Sequence, residues 1–78
     1  MQKYMVIEKF KPGLMQEGLN IYNAEGRKFP DGIYYLNSWM NTEHQVCFQL
    51  MESNDIQLFY EWFKRWEAYV DFELYPID

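Results

Sequence analysis

The segment Asp55 to Val70, DIQLFYEWFKRWEAYV, places Phe59, Trp62, Phe63 and Trp66 at i, i+3, i+4 and i+7, which is one face of an α-helix. Aromatic rings along such a stripe form a core face, so the segment predicts a helix near the C-terminus packed on a broad apolar surface. Asn54 stands where an N-cap belongs, with Gln57 placed to close a capping box and Asp55 in the first turn, where a carboxylate favours the helix dipole. Two tryptophans on a core helix define architecture and leave chemistry open.

The rest of the chain supplies what that helix packs on. Tyr4, Met5, Val6 and Ile7 form a continuous apolar run inside Lys3 to Phe10, a central strand ended by Lys11-Pro12-Gly13. A helix follows from Leu14 to Glu25, with Met15, Leu19 and Tyr22 on one face and Gly26 where a left-handed C-terminal cap sits. Gly18, Asn20 and Asn23 lower its intrinsic helicity, so it depends on packing. Pro30-Asp31-Gly32 marks a turn, Ile33 to Met40 a strand, Asn41 to His44 a hairpin loop and Gln45 to Glu52 the return strand. Pairing Met40 with Val46 sets Tyr35, Asn37, Trp39, Cys47, Gln49 and Met51 on one sheet face, and a one-residue slip exchanges a strand's faces. Val70 to Pro76 closes the chain as a strand, with Pro76 best tolerated on an edge.

The order βαββαβ has one simple compact solution, an α+β ferredoxin-like fold spanning residues 1–78 as a single domain. Its four-stranded antiparallel sheet runs in the order 4-1-3-2, with both helices on one face and right-handed crossovers. The second face has no helix over it, yet Tyr35, Trp39, Met51 and Tyr75 fall there, and a contiguous aromatic surface of this kind marks an interaction site. A domain this short buries only somewhat more than ~60% of its unfolded surface and often needs a staple or a partner. Cys47 is the only cysteine and His44 the only histidine, so neither an internal disulfide nor a Cys/His metal cluster is expected. A homodimer packed sheet on sheet is the remaining route.

The formal net charge of −5, with seven basic residues and no basic stripe, argues against nucleic acid. The opening MQKYMVIEKF is too short and too interrupted by charge for a secretory or membrane segment, so a cytoplasmic location is expected. A lone cysteine suits a reducing compartment.

Several phrases then carry a resemblance: Phe10-Lys11-Pro12-Gly13, Gly26-Arg27, Pro30-Asp31-Gly32, Ser38-Trp39, Cys47-Phe48-Gln49-Leu50-Met51-Glu52, Trp62, Trp66 and Val70-Asp71-Phe72-Glu73. Together they resemble a small bacterial family of unknown function grouped with the dimeric α+β barrel superfamily. The resemblance spans nearly the whole chain, and it implies a dimer whose two sheets form a barrel-like interface. It implies no established reaction and no cofactor. Superfamily relatives include cofactor-independent monooxygenases, small-lactone isomerases, haem-degrading proteins and stress-response proteins, and none of their catalytic patterns matches here residue by residue.

Candidate sites each have a plain alternative. Trp62 and Trp66 line a ligand cavity between helix and sheet, or are core packing. Arg27 clamps an anion with its fork of donors, or pins its loop through Asp31, Glu52 or Asp71. With Ser38 these residues form the candidate ligand site, whereas Tyr35, Trp39, Cys47, Gln49 and Met51 form the candidate dimer interface. Asp71 and Glu73 share a face of the last strand as a possible acid–base pair, or solvate an edge. Cys47 lacks the positioned base that a nucleophile needs, and His44 on its loop is a single possible haem ligand or simply solvated.

The leading functional expectation is a homodimeric module that binds a small apolar or aromatic ligand, or a partner protein. The alternative is a cofactor-independent monooxygenase or isomerase acting on a small aromatic or lactone compound. An enclosed space of ~300 Å³ or more between helices and sheet, with convergent polar groups, favours the enzyme, and a filled core disfavours it.

Overall fold

The computed structural model describes residues 1–78. The elements are β1 (Gln2–Phe10), α1 (Met15–Glu25), β2 (Tyr34–Asn41), β3 (Val46–Ser53), α2 (Gln57–Lys64) and β4 (Val70–Ile77). All strand pairs are antiparallel and the sheet runs β2-β3-β1-β4, which is the expected ferredoxin-like topology. Pro76 lies on the edge strand β4, where its missing N–H costs no ladder bond.

Strand parity fixes the two faces. Tyr4, Val6 and Glu8 of β1 oppose Met51, Gln49 and Cys47 of β3, and this is the face under the helices. Tyr4, Val6 and Met51 join Phe59, Trp62 and Trp66 in one buried cluster. Aromatic packing runs through it: Tyr4 lies 4.8 Å from Phe59, and Phe29 meets Trp62 edge-on at 4.9 Å. The other face carries the rows Trp39–Phe48–Ile7 and Leu50–Met5–Tyr75, with no helix over them. No helix is long and apolar enough to cross a membrane.

The β2–β3 register differs from the expectation by one residue. Met40 pairs with Cys47 and Asn41 with Val46, and a bulge at Leu36 separates the Tyr35–Met51 pair from Asn37–Leu50. The slip arises in the hairpin loop, where Gln45 takes a positive φ of 56° and so ends the turn rather than beginning the strand. Its N–H donates to the Thr42 carbonyl and its own carbonyl accepts from Phe10 N–H. The face assigned from sequence therefore splits. Trp39 is on the uncovered face, half exposed, whereas Cys47, Gln49 and Met51 lie under the helices and Tyr35 pairs on their side through Met51.

Both helices differ in detail from the sequence pattern. The residue that α1 buries is Gly18, because a Cβ there would stand 2.9 Å from the Phe10 ring, and Tyr22 on the expected face is exposed. Gly26 ends α1 at φ 72°, donating its N–H to the Tyr22 carbonyl. Asn54 does not cap α2: Ile56 occupies the N-cap position without a side-chain bond, and Asp55 just before it accepts on Oδ1 from Gln57 N–H at 2.9 Å. Residues 65–69 continue as turns, with Trp66 N–H donating to the Phe63 carbonyl, so Trp66 stays buried although the regular helix ends at Lys64.

Candidate functional site

A cavity of about 300 Å³ opens between α1, the start of the turns after α2, and the β1–β3–β2 side of the sheet. Phe10, Leu19, Met40, Trp62 and Trp66 give it apolar walls, and Glu8, Gln49, Arg27 and Ser38 give it a polar one. That mixture, mostly apolar with a few converging polar groups, is the ordinary make-up of a small-molecule pocket at the lower end of the usual size range.

The polar wall is a connected chain. Gln49 donates Nε2–H to Glu8 Oε1 at 2.7 Å and accepts on Oε1 from Arg27 Nε at 3.1 Å. Its amide orientation is thereby fixed at both ends. Glu8 is 9% exposed and Gln49 5%, so both belong to the interior. Burial raises the Glu8 carboxyl from an ordinary 4.5 to about 7, against the opposing effects of the Gln49 hydrogen bond and the Arg27 charge. Glu8 Oε2 has no hydrogen-bond partner in the protein and is not sealed from solvent, so it faces the cavity.

Arg27 is held unusually firmly for a loop residue. Its carbonyl accepts the indole N–H of Trp62 at 2.7 Å and of Trp66 at 2.9 Å. Gly26 and Lys28 on either side both have positive φ, and the Lys28 carbonyl accepts from Arg65. A non-glycine residue in that conformation persists only where its surroundings over-determine it. The guanidinium stacks 4.0 Å above the Tyr35 ring and 5.2 Å from that of Tyr22. Tyr35 in turn shares a 2.7 Å hydrogen bond between its hydroxyl and that of Ser38. None of the expected partners Asp31, Glu52 or Asp71 pairs with Arg27, whose only hydrogen bond from the side chain is the one to Gln49.

The four residues singled out from sequence as a ligand site, Arg27, Ser38, Trp62 and Trp66, line this one cavity. Cys47 and Gln49 line it too, rather than lying on the uncovered sheet face. Cys47 sits directly opposite Glu8, and burial pushes its thiol up to about 11, with the Glu8 charge adding to the rise and Arg27 opposing it. It is a protonated wall residue and no nucleophile. Asp71 and Glu73 lie on the opposite sheet face, where Glu73 pairs with Lys9 at 2.9 Å and accepts from the Tyr75 hydroxyl at 2.8 Å. His44 is exposed in the hairpin loop, away from the cavity. The residue that sequence reasoning missed is Glu8. It follows Tyr4 and Val6 at the i+2 spacing of one strand face, but Met5 and Ile7 make the other face equally apolar, so the sequence left open which of the two is covered.

The fold and site define a ferredoxin-like α+β domain with a pocket between its helices and its sheet. The chain belongs to the family described as a domain of unknown function, DUF3303, whose model matches residues 2–77. No curated protein matches it.

Proposed function

We propose that this chain binds a small, largely apolar or aromatic molecule in the pocket between helices and sheet, and that it works as a homodimer joined through the uncovered sheet face. The observation that carries the binding reading is the buried Glu8–Gln49–Arg27 chain opening onto a cavity of about 300 Å³, since desolvated polar groups aimed into a space cost stability without serving the core. The space is about twice the ~150 Å³ that holds a benzene ring, so a ring with a polar substituent fits it with room to spare. Support for the dimer comes from Trp39 and Tyr75, each 49% exposed on a face that also presents Phe48, Ile7 and Met5. Trp62 and Trp66 line the pocket, so quenching of tryptophan fluorescence by phenol or indole tests the binding reading. Saturable quenching that is lost when Leu19→Trp fills the cavity is the expected result, and its absence at millimolar concentration argues against binding.

A second reading is favoured by Glu8. A carboxyl that changes charge near neutrality, with one oxygen open to the pocket, suits proton transfer better than oxygen chemistry. Of the enzyme alternatives this supports a cofactor-independent isomerase acting on a small aromatic or lactone compound, with Glu8 carrying the proton between two carbons. Deuterium exchange from D2O into an enolisable lactone, abolished by Glu8→Gln, is its test.

A further inference from the structure

Arg27 and Glu8 are the only charged side chains lining the cavity, and each has part of its hydrogen-bonding capacity unused. Arg27 spends Nε on Gln49, while its two Nη groups make no hydrogen bond or ion pair within the protein. The chain has 12 acidic residues against seven basic ones, so an arginine left without a carboxylate is set apart by its position rather than by scarcity. Stacking on Tyr35 and the two indole bonds to its own carbonyl hold the planar fork in place before any ligand arrives. Glu8 has Oε1 held by Gln49 and Oε2 free.

We infer that the pocket takes small monocarboxylates, with the Arg27 guanidinium gripping the carboxylate and the Glu8 carboxyl, protonated in the complex, donating a hydrogen bond to it, so that a proton is taken up wherever Glu8 is ionised before binding. This rests on the ligand-binding reading above and names its substrate class. With Glu8 neutral the pocket carries one positive charge, which a monoanion balances. With Glu8 ionised the pocket is already neutral, and an incoming carboxylate meets a like charge at close range. The body of the ligand, an aromatic or branched aliphatic group, lies against Phe10, Leu19, Met40 and Trp62. The other titratable groups facing Glu8 do not compete for this role. Cys47 from β3 keeps its proton, Tyr22 from α1 is 38% exposed, and the β4 partner of Glu8 is Phe72.

Benzoate and phenol are the probes, one anionic and one neutral, followed by tryptophan fluorescence and by calorimetry on the unmodified protein. Benzoate affinity should be steady from pH 5.5 to about 6.5 and then fall by up to about tenfold per pH unit above about pH 7, while phenol affinity stays level over that range. Calorimetry at pH 7.5 in two buffers of different ionisation heat should show proton uptake on benzoate binding. Arg27→Met should weaken benzoate at least about tenfold more than it weakens phenol, and Glu8→Gln should bind benzoate without the pH dependence. Should Arg27→Met not fold, Arg27→Lys, which keeps the charge and loses the fork, serves in its place, and the calorimetry needs no variant. Phenol binding with pH-independent benzoate affinity, or with no proton uptake, overturns the carboxylate reading and leaves the pocket standing. Binding of neither probe overturns the pocket reading, and this one with it.

Discussion

Trp62 and Trp66 donate their indole N–H groups to a single acceptor, the carbonyl oxygen of Arg27, at 2.7 and 2.9 Å. A carbonyl has two lone pairs, so it accepts both bonds, and two core rings become the anchor of a loop. The stripe that makes α2 a core helix thus also sets the position of the guanidinium at the pocket. Trp66→Phe keeps most of the buried ring and removes one of the two bonds, which costs stability about 1 kcal/mol. Its larger effect should be on the pocket: phenol or benzoate affinity should fall severalfold while the melting temperature drops only a few degrees. Equal affinity in the variant and the unmodified protein would show that one indole suffices to hold the loop.

Trp62 is 1% exposed and touches Phe29, Phe63 and Phe72, with ring centroids at 4.9, 5.6 and 5.6 Å. Trp62→Ala removes these contacts together with the second indole bond, at a cost of about 3–5 kcal/mol, which is most of what a domain of this size holds. The variant should be largely unfolded by circular dichroism at 25 °C. An unchanged melting temperature would mean that the ring borders empty space on more sides than its contacts indicate.

Glu8 makes stability depend on pH in a direction opposite to that of a paired surface carboxylate. Its folded value of about 7 lies above the ordinary 4.5, so the folded state binds the proton more tightly than the unfolded chain does. The associated stability is fully present below about pH 4.5, is lost as pH rises to about 7, and amounts to about 3 kcal/mol at 1.36 kcal/mol per unit. Glu73 acts the other way: Lys9 holds its carboxyl below the ordinary value, so its contribution is present at neutral pH and lost in acid. Subtracting the denaturation profile of Glu8→Gln from that of the unmodified protein isolates Glu8. The variant should be the more stable of the two at pH 8, because its amide keeps the Gln49 hydrogen bond without a buried charge, and a constant difference across pH 5–8 would contradict the shift.

The six elements and their sheet order were legible in the sequence because each rests on a strong local signal: a run of apolar residues, a Pro-Asp-Gly turn, or a stripe of rings. Arg27, Ser38, Trp62 and Trp66 converge on one cavity for the same reason, since topology alone brings the end of α1, β2 and α2 together. The register was not legible. It turns on Gln45 adopting a left-handed conformation, a backbone choice that neither glycine nor asparagine advertises, and one residue there decides whether Gln49 shares a sheet face with Ser38 or with Trp39. Glu8 was hidden by its neighbours. An apolar run on both faces of a central strand masks which parity is covered, and only the pairing with Gln49 and Cys47 reveals that its carboxyl points inward.

Gly18 is the residue that α1 buries, and the ring of Phe10 occupies the space its side chain would take. In Gly18→Ala the methyl group presses on the far edge of that ring, which can pivot, and the helix gains about 1 kcal/mol of propensity. Stability should therefore change by less than about 1 kcal/mol in either direction. Phe10 also lines the cavity, so the displaced ring should narrow it and weaken phenol binding severalfold. Tight binding retained with lowered stability would place the strain in the helix backbone instead.

The uncovered face bears on assembly through two cross-strand rows, Trp39–Phe48–Ile7 and Leu50–Met5–Tyr75, which run side by side across all four strands. Phe48 and Ile7 oppose each other on the two central strands, so an isologous sheet-on-sheet contact places this pair near its centre, with Trp39 closing over it from the edge strand. Lys9, paired with Glu73 at 2.9 Å, supplies the polar border that such a patch needs. In the proposed dimer, Trp39→Glu would put a charge into the dry part of the contact twice over, once from each subunit, where it would find no partner. Sedimentation should show a dimer for the unmodified protein at micromolar concentration and a monomer or an aggregate for the variant. The pocket is on the far side of the sheet, so a monomeric variant that remains folded should still bind phenol. A well-folded monomer of the unmodified protein under those conditions would remove the dimer and leave the rows Trp39–Phe48–Ile7 and Leu50–Met5–Tyr75 as a surface for a different partner.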